Sequence, residues 1–156
     1  MTRGKYTGKK GSNKMRREEK YPNTDVYKFH NENPRGRITG DCTFRAVALA
    51  TGKTWAEVVR EMAEMSIESG YAMNDKKGLE TYMKTLGWTK CSQPRKTDNT
   101  KYTGKDWCKY WRKKFGDKPC IMKIGGHHVT AIKNGKIHDI WDCSGKCVGN
   151  YWAKLD

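Results

Sequence analysis

Helical periodicities fill the middle of the chain and strand periodicities its last third. Phe44, Val47 and Ala48 fall on one face of a helix expected over Thr43 to Ala50. Asp41 stands where a side chain can accept from the first free amides of that helix, and Thr51-Gly52 stops it. Thr54-Trp55-Ala56-Glu57 is a capping box that opens a second helix, whose Val58, Val59, Met62 and Met65 form a stripe suited to core packing. Residues 75–86 predict a third helix with Leu79, Tyr82, Met83 and Leu86 inward, closed by Gly87. After a short strand over Trp88 to Cys91, the polar segment Gln93 to Tyr102 reads as a surface loop. A fourth helix, capped by Thr103 or Asp106, runs through Phe115 with Trp107, Tyr110 and Trp111 as its apolar side. Pro119 to Ile124 is a strand, and His128 to Asp142 alternates around Asn134-Gly135 as a β-hairpin does. Val148, Tyr151 and Trp152 mark a last strand. Helices first and antiparallel strands last predict an α+β domain.

Residues 1–35 have almost no apolar runs and read as a flexible basic tail and linker ending at Asn33-Pro34-Arg35-Gly36. The domain then spans 36–156, enough chain for one modest core. The formal net charge is +15, and residues 1–20 hold eight Lys/Arg against Glu18 and Glu19. A field of that sign attracts nucleic acid and acidic proteins, so the tail is a candidate contact for nucleic acid. No apolar stretch is long enough to span a bilayer, and no apolar segment follows the N-terminus as in a secretory signal. A cytoplasmic location without membrane contact is therefore expected, with the six cysteines as thiols. They form no CxxC pair.

Of the six, Cys42 stands at a helix start, where free amides and the helix dipole favour thiolate over thiol. A thiol nucleophile needs a base within reach, and the base needs an orienting acceptor. The hairpin supplies both, because His128 opens one strand and Asp142 closes its partner. A loop centred on Gly135 sets His128 opposite Asp142; a strict two-residue turn pairs His127 with Asp142 and leaves Asp139 diagonally beside His128. Sequence leaves both registers open.

The segments GDCTFRAVALATGKTWAEVV and GHHVTAIKNGKIHDIWDCS together resemble small phage-encoded proteins of the papain-like cysteine peptidase fold, related to bacteriocin-processing peptidases. The likeness spans roughly residues 36–152. It implies N-terminal helices packed on a small C-terminal antiparallel sheet, with Cys42 as nucleophile, His128 as base and Asp142 as orienting acid, Asp139 being the alternative. It implies a protein or peptide substrate, amide or isopeptide hydrolysis or acyl transfer, and no cofactor. The chain departs from the family in lacking a Gln shortly before the cysteine, where Arg37, Ile38, Thr39, Gly40 and Asp41 stand. The Cys42 amide can donate to an oxyanion, with Thr39 as candidate second donor. A zinc site from His127, His128, His138, Cys143 and Cys147 has poor Cys-x3-Cys spacing, so no metal is expected. Arg45, on the Cys42 helix, is placed to pair with an acid or to hold a substrate carboxylate. The rival class is a non-enzymatic basic module that binds nucleic acid or a host protein.

Overall fold

The computed structural model describes residues 15–155. Among these are five helices, α1 (Arg17–Lys20), α2 (Cys42–Thr51), α3 (Trp55–Ser69), α4 (Lys76–Thr85) and α5 (Gly104–Phe115). Six strands, β1 (Tyr27–Phe29), β2 (Thr89–Cys91), β3 (Cys120–Ile124), β4 (His128–Lys133), β5 (Lys136–Asp139) and β6 (Val148–Ala153), form one sheet in the order β1-β5-β4-β3-β6-β2. The fold is mixed α+β. No described helix is long and apolar enough to cross a membrane.

Consecutive residues of one strand point to opposite faces, and here the two faces build two cores. Ile121, Ala131 and Trp152 pack with α2, α3 and α4, through Val47, Val58, Met62, Leu79 and Met83. Their neighbours Cys120, Met122, Ile132 and Ala153 pack instead with Trp107, Cys108 and Trp111 of α5. The central strands β3 and β4 are therefore buried on both sides. Local signals end the helices where expected. Thr54 accepts from the Glu57 amide while Glu57 reaches back to Thr54, and Gly52 and Gly70 close α2 and α3 in left-handed geometry. Thr103, not Asp106, caps α5.

Two expectations are corrected and one open choice, the hairpin register, is decided. Residues 1–14 of the expected tail lie outside the described residues, but much of the remainder is structural. Val26 and Tyr27 are buried, and β1 pairs in parallel with β5, Tyr27 to Ile137 and Phe29 to Asp139. The signal is a short apolar pair inside polar sequence, too brief for periodicity to detect. The sheet is consequently mixed, not purely antiparallel, and it draws strands from both ends of the chain. The hairpin uses the two-residue turn. Lys133 pairs with Lys136 and Ala131 with His138, while Asn134 and Gly135 take φ of 49° and 75°. Positive φ at both central residues suits the right-handed strand twist, and Asn-Gly tolerates it. This register, not one centred on Gly135, decides which acid meets His128.

Candidate active site

Cys42 is the first residue of α2, half-buried, with Asp41 in the N-cap position. The Asp41 side chain makes no cap bond, contrary to the sequence reading. Its carboxylate, 4% exposed, is committed elsewhere: Oδ1 accepts from Arg45 Nε at 2.8 Å, and Oδ2 accepts from Asn33 Nδ2 at 2.9 Å and Trp55 Nε1 at 3.0 Å. A buried guanidinium left unpaired costs far more than an uncapped helix. The first-turn amides of α2, that of Cys42 among them, consequently have neither an intrahelical nor a capping partner, and they face the thiol end of the helix.

The two-residue turn places Asp139 on the same sheet face as His128, one diagonal step away. Its Oδ2 lies 2.5 Å from His128 Nε2. Oδ1 accepts from Arg45 Nη1 and from the Ile140 amide, both at 2.7 Å. The Asp139 carbonyl accepts from the Tyr27 hydroxyl and the His30 amide, both at 3.0 Å. Side chain and backbone are thus both pinned, the backbone by Tyr27 of β1 and by His30 just after it. Asp142 does not face His128; its Oδ1 accepts from the Ser144 amide at 3.0 Å and shapes the turn after β5.

Nε2 is thus committed to Asp139, and His128 and Cys42 lie near enough for each to stabilise the other's charged form. The Trp141 indole packs edge-on against the imidazole, ring centres 5.1 Å apart. Trp141 Nε1 is also 3.1 Å from His128 Nε2, but the single hydrogen on that nitrogen already points to the carboxylate. The indole therefore shields the ion pair from water, which strengthens it.

The electrostatics follow from these neighbours. Burial alone opposes the Cys42 thiolate. Hydrogen bonds from His128 and the Val129 amide, with the charges of His128 and Arg45, outweigh burial, and the thiol pKa falls below its ordinary value. Burial likewise opposes an imidazolium, yet hydrogen bonds to Asp139, Cys143 and Cys42 raise His128 to about 11. Asp139 is held below the usual carboxylate range because His128, Thr130 and Arg45 overcome its desolvation. These shifts all act in one sense, favouring thiolate, imidazolium and carboxylate over their neutral forms. Burial pushes Cys108 up to about 11 and raises Cys120 and Cys143 as well, so among these thiols only Cys42 is shifted toward the reactive form.

The remaining sequence candidates are dispersed. His127 and Cys147 are exposed, and His138 lies against His30 with Nδ1 3.0 Å from the Lys136 carbonyl. Thr39 is exposed and its carbonyl accepts from the Asp41 amide at 2.9 Å. Among the described residues, His128, Asp139 and Cys143 bring potential metal-ligand atoms within 4.8 Å of one another. A cation there competes with the Arg45 guanidinium already on Asp139. Sequence reasoning missed Asn33, Trp55 and Trp141. Only the Asp41-to-Arg45 spacing of four residues on one helix carried a readable signal of the network. No family model, curated protein or solved structure matches the chain.

Proposed function

We propose that the protein is a cysteine peptidase, or a related amide or isopeptide hydrolase, working through Cys42, His128 and Asp139. The observation that carries this reading is the His128 imidazole, held by Asp139 through Nε2 at 2.5 Å beside a helix-start thiol whose pKa is lowered. The order of cysteine helix, histidine strand and acid resembles the papain-like peptidases, and on this reading Asp139 takes the role first given to Asp142. The Cys42 thiolate attacks the substrate carbonyl carbon, and the Cys42 amide donates to the oxygen as it gains charge. His128 then gives its proton to the departing amine as the C–N bond breaks, leaving a thioester. Water, deprotonated by His128, displaces the thiolate and releases the acid. An amine in place of water gives acyl transfer by the same route.

The test is covalent labelling with a peptidyl electrophile at neutral pH, read by peptide mass spectrometry. The adduct is expected on Cys42, to vanish in Cys42→Ala and to form much more slowly in His128→Ala. Equal labelling of several cysteines, or none on Cys42, would overturn the proposal.

A further inference from the structure

The segment that leads into Cys42 walls a cavity of about 490 Å³. Pro34, Ile38 and Trp55 provide its apolar surface, and Arg35 and Arg37 stand at its rim. Ile38 is 54% exposed, and both arginines are exposed with no ion pair among the described residues. An exposed branched aliphatic residue beside two unpaired cations contributes nothing to the core, so burial does not account for it.

The cavity is preformed, and by the same network that holds the site. Asn33 is buried; its Nδ2 donates to Asp41 Oδ2, while its Oδ1 accepts from the amides of Arg35 at 3.0 Å and Arg37 at 3.3 Å. Asn31 Nδ2 donates to the Arg37 carbonyl at 3.1 Å. The opposite wall, Trp55, donates to the same Asp41 carboxylate. Asp41 therefore fixes both walls of the cavity and, through Arg45, the acid that orients His128. A rigid wall built from the segment that leads into the nucleophile is suited to position a scissile bond. A second cavity, lined by Thr43, His127 and Val129 among others, has about 70 Å³ and room only for a small side chain.

Resting on the proposed hydrolase reading, we infer that the Pro34–Ile38–Trp55 cavity is a substrate subsite. It takes a large apolar side chain, such as Leu or Phe, next to an acidic residue that meets Arg35 and Arg37. Apolar burial supplies most of the affinity, and the arginines select the sign of the neighbouring charge.

The experiment measures how blocked hexapeptides protect Cys42 of the full chain from iodoacetamide, a readout indifferent to which side of the scissile bond the cavity serves. Peptides carrying Leu-Glu or Phe-Glu are expected to protect at about tenfold lower concentration than Gly-Glu peptides. They should outperform Leu-Lys peptides by about three- to tenfold. Arg35→Glu/Arg37→Glu should reverse the charge preference, and Ile38→Asp should remove the apolar one; these exposed positions leave the melting temperature near wild type. If Cys42 alkylates fast but all peptides protect alike, or the double variant keeps the acidic preference, the subsite is wrong while the nucleophile stands. If Cys42 alkylates no faster than the other cysteines, the hydrolase reading itself fails and the subsite with it.

Discussion

At the scale of single residues, Arg45 decides how Asp139 behaves. The guanidinium is 6% exposed and bridges two carboxylates that are 4% and 2% exposed. Removing one partner from such a group leaves the others charged and dry, so Arg45→Met should cost about 3–5 kcal/mol of unfolding free energy in urea titrations. Arg45→Lys should recover little, because an ammonium lacks the planar fork that reaches Asp41 and Asp139 together. The two acids near the hairpin should separate cleanly. Asp139→Asn weakens the support of the imidazolium, so Cys42 alkylation at pH 6 should slow at least about tenfold and its pH midpoint should rise toward the ordinary thiol value near 8.5. Asp142→Asn keeps an acceptor for the Ser144 amide and should leave that profile unchanged. The reverse pattern would restore Asp142 as the orienting acid.

At the scale of elements, the strand that sequence reasoning assigned to a tail matters most. β1 and the residues that flank it bury Val26 and Tyr27, at about 1.5–3 kcal/mol each, and hold the Asp139 carbonyl from two donors, Tyr27 and His30. Against a typical total stability of about 5–15 kcal/mol, deletion of residues 1–30 should abolish or strongly weaken cooperative thermal unfolding. A melting temperature within a degree or two of the full chain would refute this. The milder Tyr27→Phe should cost about 1 kcal/mol, the share of one hydrogen bond. The capping box of α3 is a local device in comparison, and Thr54→Ala should cost about 1 kcal/mol. The hairpin turn is local in sequence and long-range in consequence. Inserting one residue after Gly135 shifts the side-chain alternation of β5, turns Asp139 off the face of His128 and should erase the early alkylation of Cys42.

At the scale of the whole molecule, the ion network ties β1, α2, α3 and the hairpin into one pH-dependent unit. His128 has a folded pKa of about 11 against an ordinary value near 6.5, so its contribution is fully present below about 6.5 and is lost as pH rises toward 11. Asp139 has the opposite sign: its folded pKa is depressed, so its contribution is present above about 4 and is lost as pH falls. The stability difference between wild type and His128→Asn, measured in urea, should therefore be largest near pH 5–6 and shrink steadily toward pH 10. A difference that grows with pH would mean that His128 is buried neutral and that the thiolate–imidazolium pair does not form.

The sequence by itself determined the elements whose information is local. The capping box at Thr54, the stop glycines, the periodic stripes of α3 and α4 and the Asn134-Gly135 turn each state their structure within a few residues, and each forms as read. Cys42 at a helix start and His128 at a strand start were legible for the same reason. Only the tertiary structure decided the rest. Asp139 rather than Asp142 meets His128 because a one-residue difference in turn geometry changes every cross-strand pair, and both registers satisfy the same alternation. Asp41 abandons its cap because Arg45, Asn33 and Trp55 converge on it from segments that sequence does not connect. Tyr27 becomes core because β5 has an open edge beside it, and a three-residue strand has too few side chains to announce a period of two.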